Sequence, residues 1–458
     1  MYFEQISTPG LGCFSYAVGC PQAGVMAVVD PRRDIGVYLR IAKEQGMRIT
    51  HIFETHVHAD HISGARDLRA AAGADIYIHE SAPVRYDAKK LRNGDEFRFG
   101  DAILRVLHTP GHTPNSISIL IADLARSTTP ELILTGDLLF VGDIGRPDLP
   151  GEEIMSEQTE SLYNSLYTTL VSLPDYLEIY PAHGQGSLCG QGMSAKSSST
   201  LGYERVANPM LKYANFKDFK NAILSRLPMR PQSFSGIISA NLDGPPLLTG
   251  NSDAEYALSA GQADEILKSG ALPLDLRDSG SFGAAHIPGS INVDATNSAM
   301  LNWIGMAVSP DIPLILILPA GRGFEEMFTE LQRIGYDKDV KGWLKGGLQA
   351  WRDSGRKTAG LPHLSAADLE KRLTGSTRLV LIDVRTPEEF SKRKIEGSVN
   401  LTFNQLVKES ACPVENGAEI VVICQSGFRA GIAASMLLAL GCGDVSLLAG
   451  GINAWPEK

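Results

Sequence analysis

The amino-acid sequence predicts an α/β protein, with a histidine-rich first domain followed by two copies of a smaller α/β domain. Two observations lead to this prediction. In the first half of the chain, short apolar strands are followed directly by histidine or aspartate. In the second half, one pattern of strands and helices occurs twice. A chain of 458 residues is long enough for several domains, each with its own core.

The most informative segment of the first half is Thr55–His61, which reads Thr-His-Val-His-Ala-Asp-His. The preceding residues 48–53 are typical of a strand, and residues 63–68 are typical of a helix start. Three imidazoles and a carboxylate converge near one ion if the backbone turns sharply after the strand. This segment therefore predicts a metal centre. Its candidate ligands are His56, His58, Asp60 and His61.

Three more candidate ligands occur downstream, and each lies just past a short apolar strand. They are His112, Asp137 and His183. A sheet edge can present such residues into one cleft. A single isolated histidine would be read as a core or surface residue, but four segments with the same layout indicate one shared site.

The motifs HxHxDH, GH, GD and PAH, in this order, resemble the metallo-β-lactamase fold family. The glyoxalase II and persulfide dioxygenase branches are the most similar. The resemblance covers residues 1–235 and implies an αββα sandwich. By analogy with the dioxygenases, it implies one Fe(II) per chain, held by His56, His112 and Asp137. His58, Asp60, His61 and His183 would then orient these ligands.

The same residues also suit a second interpretation. In a glyoxalase II-like enzyme they would hold two metals, here Zn2+, with Asp137 as the bridge. Two histidines and one carboxylate leave coordination positions open, which is typical of non-haem Fe(II) oxygenases. The ligand residues by themselves do not decide between the two metals.

The second half of the chain contains an internal repeat. The segments 272–277, 289–293 and 344–351 recur as 380–385, 397–401 and 448–455. Short apolar strands alternate with helices in each copy, which predicts parallel sheets covered on both faces. We expect the copies to occupy residues 253–360 and 361–458. A segment rich in Pro, Ser, Gly and Asn predicts a linker at 236–252.

Both copies resemble the rhodanese (sulfurtransferase) domain. In the second copy an apolar strand ends at Cys424, within a C-x-x-G-x-R pattern that resembles the rhodanese active-site loop. A tight loop and a helix N-terminus both favour negative charge on the sulfur, so Cys424 is the predicted nucleophile. Arg429 would hold an anionic acceptor. The first copy reads Leu-Pro-Ala-Gly-Arg at this place, contains no cysteine and is predicted to be inactive.

Two further residues of the first domain are candidates by resemblance. Arg146 lies where the sequence looks like the substrate-binding arginine segment of the dioxygenases. Cys189 lies in a glycine-rich segment that looks like the loop of bacterial dioxygenase–rhodanese fusions. Because Cys189 follows His183 by only six residues, it could reach the same cleft. Our hypothesis is that it accepts or relays persulfide sulfur there. The alternative interpretation of Cys189 is a small packed residue in a turn.

The net charge of −10 argues against nucleic acid or an anionic membrane as the main partner. No apolar run is long enough to span a bilayer, and the start of the chain lacks the features of a secretory signal. The six cysteines are few and scattered, which is typical of a reduced cytoplasmic protein. For Cys412 and Cys442 no nearby residue suggests a reactive or binding role, and we expect them to lack a partner.

Together the resemblances imply an enzyme with two activities. A mononuclear non-haem iron would oxidise low-molecular-weight thiol persulfides with O2 to sulfite and thiol. Cys424 would transfer sulfane sulfur to or from sulfite or thiosulfate, and the expected role is sulfide detoxification. One alternative is a glyoxalase II-like binuclear zinc thioester hydrolase with a sulfurtransferase module. Another is a non-catalytic rhodanese half that acts as a sulfur-carrier or docking module. The family also implies a homo-oligomer, either a dimer or a tetramer.

Overall fold

The computed structural model describes residues 1–227, 229–248, 253–375, 378–415 and 417–456. The chain divides into two compact units. The first is Met1–Thr249 together with Gln332–Gly335, and the second is Gly250–Leu331 together with Tyr336–Lys458. Within the described ranges, no helix has both the length and the apolar character needed to cross a membrane.

Two mixed sheets form the centre of the first unit. The strands of the first sheet are β1 (Tyr2–Thr8), β2 (Cys13–Cys20), β3 (Val25–Val29), β4 (Arg48–Phe53), β5 (Asp75–His79) and β6 (Lys89–Leu91), in that spatial order. The strands of the second sheet are β7 (Glu96–Phe99), β8 (Ala102–His108), β9 (Ile117–Asp123), β10 (Leu132–Gly136), β11 (Glu178–Pro181) and β12 (Ser199–Thr200). Their spatial order is β12-β11-β10-β9-β8-β7.

Apolar side chains from both sheets meet in one core, which includes Val29 and Phe53 from the first sheet and Val106 and Leu134 from the second. Helices cover the outer faces of the sheets. They are α1 (Gly36–Glu44), α2 (Ala65–Ala72), α3 (Met155–Asn164), α4 (Leu201–Ala207) and α5 (Phe216–Ser225). The apolar faces of α1 and α2 pack on the first sheet, and those of α3, α4 and α5 pack on the second. This arrangement confirms the predicted αββα sandwich.

The segment expected to be a linker, residues 236–252, differs from that expectation over its first half. Helix α6 (Ser233–Asp243) runs through it and buries Phe234, Ile237 and Asn241. Phe234 packs with Ala59 and Leu149 of the first domain. The Ser- and Gly-rich composition of this segment is atypical of a helix, which is why a linker was expected. Its buried residues nevertheless recur at helical spacing. Residues 249–252 of the expected linker lie outside the described part of the chain.

The second unit contains two parallel sheets of the same topology, as predicted. The first repeat consists of α7 (Asp253–Tyr256), β13 (Ala257–Leu258), α8 (Ala260–Lys268), β14 (Leu272–Asp275), α9 (Ser279–Ala284), β15 (Ile291–Asn292), α10 (Met300–Ala307), β16 (Leu314–Ile317), α11 (Phe324–Arg333), β17 (Val340–Leu344) and α12 (Gly347–Asp353). The second consists of β18 (His363–Leu364), α13 (Ala366–Leu373), β19 (Leu379–Asp383), α14 (Pro387–Lys392), β20 (Val399–Asn400), α15 (Phe403–Leu406), β21 (Glu419–Ile423), α16 (Phe428–Ala439), β22 (Asp444–Leu448) and α17 (Gly451–Ala454). Their strand orders are β13-β17-β16-β14-β15 and β18-β22-β21-β19-β20.

The repeated sequence motifs perform the same structural task in both copies. Asp275 and Asp383 each end the second strand of a sheet and pair with an arginine two residues later. The carboxamide of Asn292 donates to the carbonyl oxygen of the last residue of β14 and to that of the residue two positions later. Asn400 makes the same two bonds at the end of β19. These groups are buried or half-buried and need hydrogen-bond partners. The hydrogen bonds between them therefore fix the loops at this edge of the sheet.

Cys412 and Cys442 form a disulfide, which corrects the expectation that these residues lack a partner. Cys442 follows α16, and Cys412 lies in the loop between α15 and β21. The packing of this loop near the end of α16 brings the two thiols together. No motif links them in the sequence, so their proximity arises from the fold.

Candidate functional sites

The candidate metal ligands of the first domain lie where four strands end. His56, Asp60 and their neighbours follow β4, and His112 follows β8. Asp137 follows β10, and His183 follows β11. All of these side chains are buried. The residues that follow these strands therefore lie close together and form one cluster of buried ionisable groups.

Three atoms of this cluster converge without hydrogen-bond partners among the described residues. They are His56 Nε2, His112 Nε2 and Asp137 Oδ2. The carboxylate oxygen lies 3.2 Å from His112 Nε2 and 3.9 Å from His56 Nε2. All three residues offer ligand atoms within 4.8 Å of one another. Buried polar atoms normally have partners, because leaving one unpaired costs about 1–3 kcal/mol. A cation bound between these atoms would satisfy all three.

Contacts on the opposite side of each imidazole fix its tautomer. The Thr55 hydroxyl donates to Asp30 Oδ2 at 2.7 Å and therefore accepts from His56 Nδ1 at 2.9 Å. His112 Nδ1 donates to the carbonyl oxygen of Arg146 at 2.9 Å. In both rings Nε2 is left with a lone pair that points to the shared centre. Burial lowers the pKa of His56 and of His112, which keeps both rings neutral, as metal ligation requires.

The other oxygen of Asp137 is engaged by His183. His183 Nδ1 donates to Asp137 Oδ1 at 2.5 Å, and its Nε2 donates to Asp60 Oδ2 at 2.8 Å. Burial opposes a charge on this ring, but the adjacent carboxylates outweigh it and raise the pKa of His183 well above its usual value. A protonated ring has no lone pair for a metal. In this arrangement His183 contacts both Asp137 and Asp60, and its role beside a bound metal stays a prediction.

His58 and His61 are also held by carboxylates. His58 Nε2 lies 3.1 Å from Asp30 Oδ1 and 3.0 Å from Glu54 Oε2. His61 Nδ1 lies 3.3 Å from Asp60 Oδ1. Burial and the neighbouring His58 oppose protonation of His61, but Asp60 raises its pKa to about 9. Both rings are thus tied to acidic partners through one nitrogen.

The donor set of His56, His112 and Asp137 fits a divalent transition metal. Two neutral imidazoles and one carboxylate leave several coordination positions free for substrates. The outer contacts made by Thr55 and by the carbonyl of Arg146 are of the kind that orient ligands and tune a bound metal.

Sequence reasoning missed four residues that build this cluster. They are Cys13, Asp30, Glu54 and Asn241. Asp30 follows β3 and has a φ of 51°, which is unusual for a residue other than glycine. Like the predicted ligands, it is a strand-end carboxylate, and this signal was present in the sequence. The Cys13 thiol donates to Asp60 Oδ2 at 3.0 Å, a contact that no sequence motif indicates.

Asn241 ties the histidine-rich loop to helix α6. Its side-chain amide donates to the carbonyl oxygens of His58 and His61 at 2.9 and 2.8 Å. Its side-chain oxygen accepts from the backbone N–H of Ser63 at 3.0 Å. Because α6 lies in the segment expected to be a linker, this support could not be identified from the sequence pattern.

The guanidinium of Arg146 is buried and already engaged. It forms a two-pronged ion pair with Asp148, with both bonds at 2.7 Å. It also donates to the carbonyl oxygens of Leu188 and Met229. These contacts link the loop after β10 to two later segments. The role of Arg146 in binding substrate stays a prediction.

Cys189 is buried beside the cluster, and its Sγ lies within 4.8 Å of ligand atoms of Asp137 and His183. Burial raises the pKa of the Cys189 thiol to about 12. Burial therefore favours the protonated thiol at neutral pH, and a reactive thiolate would need a neighbouring base. The structure brings Cys189 to the cluster, and its participation in sulfur chemistry stays a prediction.

Cys424 lies directly after β21 and is followed by a short loop that leads into α16. The backbone N–H of Gly427 donates to its Sγ at 3.1 Å. Gly427 has a φ of 105°, which other residues adopt only with strain. A backbone N–H at a helix start stabilises negative charge on this sulfur. Gly451 packs against the same loop, because an added Cβ would lie only 2.3 Å from the carbonyl oxygen of Cys424.

Arg429 is not free to meet an acceptor in the way its position predicts. Its guanidinium forms a two-pronged ion pair with Glu389, at 2.8 and 2.6 Å. Glu389 also caps α14 together with Thr386. The pair therefore links the start of α14 to the first turn of α16, and holding an anion stays a prediction for Arg429.

The first repeat has Leu318 at the position of Cys424, because Ile317 and Ile423 occupy equivalent places beside the second strand of each sheet. The loop then runs through Gly321 and Arg322. Arg322 donates to Glu326, Glu330 and the carbonyl oxygen of Ala295. This loop thus has no thiol, and its arginine is engaged by two glutamates and a backbone carbonyl.

Comparisons with known proteins agree with this architecture. A model of the metallo-beta-lactamase superfamily matches residues 25–183, and one of the rhodanese-like domain matches residues 259–354 and 365–458. The chain is 28% identical over 245 residues to "Persulfide dioxygenase ETHE1, mitochondrial" of Bos taurus, covering 52% of this chain and 87% of that protein. It is 32% identical over 173 residues to a hydroxyacylglutathione hydrolase of Nitrosococcus oceani, covering 37% of this chain and 61% of that protein.

The crystal structure of a metallo-beta-lactamase from Staphylococcus aureus subsp. aureus COL has a similar fold, with a TM-score of 0.67 and 33% identity. The match covers 75% of this chain and 98% of that chain. It therefore extends beyond the first domain. The chain belongs to the metallo-beta-lactamase superfamily, with persulfide dioxygenase homologues of its first domain, and it continues into tandem rhodanese-like domains.

Proposed function

We propose that the first domain is a persulfide dioxygenase that holds one ferrous ion through His56, His112 and Asp137. The observation that carries this proposal is the convergence of three unpartnered ligand atoms. Two of the other candidate ligands, Asp60 and His183, are instead hydrogen-bonded to each other. The similarity to proteins named persulfide dioxygenase supports the same chemistry.

The net reaction would be RSSH + O2 + H2O → RSH + SO3²⁻ + 2 H⁺, with a low-molecular-weight thiol persulfide as the substrate. The outer sulfur is oxidised by four electrons, and O2 takes up the same number. When bound, ferrous iron supplies the activation of O2 next to the substrate sulfur. Thr55 and the Arg146 carbonyl hold the two imidazoles in place, and His183 holds the carboxylate. Because no imidazole has to reorient, the site is ready to receive substrate.

The second rhodanese-like domain would carry sulfur on Cys424. Its thiolate attacks the outer sulfur of a persulfide, forms an S–S bond and releases the thiol. Sulfite then attacks the outer sulfur, takes it as thiosulfate and restores the thiolate. The Gly427 N–H stabilises the anionic sulfur at both stages. The same residues also permit the reverse direction, from thiosulfate to sulfite. Joined to the first activity, this transfer would serve sulfide detoxification.

Removal of the metal provides the direct test of the first activity. Purified protein is expected to contain about one iron per chain and to consume O2 with glutathione persulfide. A chelator should abolish this uptake, and Fe(II) should restore it while Zn2+ should not. The chelated protein should also unfold at a lower temperature, because an ion that binds only the folded state stabilises it.

A glyoxalase II-like hydrolase would give the opposite result. About two zinc ions per chain, turnover of S-lactoylglutathione and no O2 uptake would replace the dioxygenase proposal. The similarity to hydroxyacylglutathione hydrolases makes this the necessary comparison. The two outcomes are distinguished by metal analysis and an oxygen electrode on one preparation.

A separate prediction concerns Cys189, which would accept sulfane sulfur beside the metal cluster. Replacing it with serine should lower thiosulfate formation from persulfide alone by about tenfold, with iron content unchanged. In the wild type, mass spectrometry should find one extra sulfur atom on the Cys189 peptide. Cys20→Ser is the matched control, since Cys20 is also a buried cysteine of this domain and bonds to Gln22. Unchanged thiosulfate formation in Cys189→Ser would leave this thiol with a packing role only.

A further inference from the structure

Helix α16, which begins beside the Cys424 loop, is buried around its whole circumference over its central part. Its residues Ala430–Leu437 are all buried, although a helix on the outside of a sheet normally keeps one polar face. It contacts β21 and β22 of its own sheet, and also β15 of the first repeat. The backbone N–H of Asn292 donates to the buried hydroxyl of Ser435 at 3.0 Å. The first repeat thus covers a face of the helix that would otherwise meet water.

The edge strands of the two sheets show that this association is one-sided. Ile291 in β15 is 8% exposed, whereas Val399, its counterpart in β20, is 58% exposed. The same edge is therefore covered in the inactive repeat and open in the active one. The covering element is the helix that begins at the reactive loop. The inactive repeat consequently supports the part of the second repeat that carries the predicted nucleophile.

Trp303 of the first repeat extends this support to the loop itself. Its ring lies 5.8 Å from the ring of Phe428 and 5.0 Å from that of Phe403, edge to face in both cases. Phe428 is the first residue of α16 and directly follows Gly427. Gly427 provides the N–H that contacts Cys424 Sγ. The indole therefore holds the residue next to the group that stabilises the sulfur.

We propose that Trp303 is a positioning residue for sulfur transfer at Cys424. It fixes the first turn of α16 and, through it, the distance between the Gly427 N–H and the sulfur. This inference rests on the proposed function of Cys424 and gives the repeat without a cysteine a part in that reaction. Reaction rates are sensitive to such geometry, since a displacement of about 1 Å can cost about a hundredfold.

The test uses the full-length protein with glutathione persulfide and sulfite as substrates. Trp303→Ala is expected to lower kcat for thiosulfate formation by about tenfold and to change KM for sulfite by less than about twofold. Trp303→Phe should restore most of the rate, because a phenyl ring keeps the edge-to-face contact. The alkylation rate of Cys424, followed by mass spectrometry of its peptide, should fall in parallel with kcat.

The control is Trp343→Ala in the same repeat. Trp343 lies on β17, which the strand order separates from the edge strand β15, and its ring stacks on Phe324 at 6.4 Å. This variant should keep the wild-type kcat. Should the alanine form at position 303 fail to fold, Trp303→Leu keeps most of the apolar volume and is expected to lower kcat by about threefold or more.

The outcomes separate this inference from the function on which it rests. A wild-type protein that forms no thiosulfate contradicts the proposed transfer, and the alkylation rates then still test the positioning role. Wild-type kcat and alkylation in Trp303→Ala, or in Trp303→Leu if that variant is needed, would overturn the inference. An equal loss in Trp343→Ala would also overturn it, because the effect would then be a general weakening of the repeat.

Discussion

Replacing His112 with alanine is expected to remove the bound metal and to reduce persulfide-dependent O2 uptake by more than about a hundredfold. Loss of a group that only orients a ligand costs about 10–100-fold in activity or metal affinity, so loss of the ligand itself should cost more. The contacts of His112 suit a metal ligand. Its Nδ1 is held by the carbonyl oxygen of Arg146, and its Nε2 faces Asp137. Iron analysis and an oxygen electrode provide the measurements.

His51→Phe is the matched control for this substitution. His51 lies on β4 of the same domain and stacks among Phe53, Tyr77 and Phe99, so a phenyl ring suits its surroundings. Iron content and O2 uptake should remain at wild-type levels. Urea unfolding of the metal-free proteins would show the separate structural cost of His112→Ala. This cost is about 1–3 kcal/mol, because the substitution removes the hydrogen-bond donor to the Arg146 carbonyl oxygen. Full iron occupancy in His112→Ala would refute the ligand assignment.

The positions of the candidate ligands could be predicted because they depend on local pattern and sheet geometry. His112 and Asp137 each follow an apolar strand of the second sheet, and the His56 segment follows a strand of the first. When two sheets pack face to face, loops at the same end of the sandwich meet. Strand periodicity and residue type were therefore sufficient to bring these residues to one cluster.

Which of the clustered residues keep a free ligand atom could not be predicted in the same way. The distinction depends on partners that are distant in sequence, such as Asp30 for His58 and Asp60 for His183. The support from Asn241 comes from a helix hidden in a segment with linker-like composition. Hydrogen bonds of this kind depend on tertiary packing, which leaves no periodic signal in the chain.

The second half shows the same division. The repeat identified Cys424 and the missing thiol of the first copy, since both are properties of single aligned positions. The ion pair of Arg429 with Glu389 was not predicted, although both residues belong to recognisable motifs. It adds a link between two helices to the role predicted for Arg429. Pairings between motifs become visible only when the fold sets their distance.

Cys424→Ser is expected to reduce thiosulfate formation from persulfide and sulfite by about a thousandfold or more, while O2 uptake stays unchanged. Removing a catalytic nucleophile typically has an effect of this size or larger. A serine hydroxyl cannot form the S–S bond that carries the sulfur, and its alkoxide is far less accessible than a thiolate. Sulfite from the first activity should then accumulate in place of thiosulfate, which ion chromatography would show.

The selectivity of this loss is what identifies the carrier. Cys20→Ser should keep both activities, so a fall in both in Cys424→Ser would point to misfolding and not to loss of the nucleophile. A reaction without enzyme is needed, because sulfite also attacks persulfides in solution. Mass spectrometry should find an added sulfur atom on the Cys424 peptide of the wild type only. If enzymatic thiosulfate formation survives in Cys424→Ser, another group carries the sulfur, and the Gly427 N–H has only a structural role.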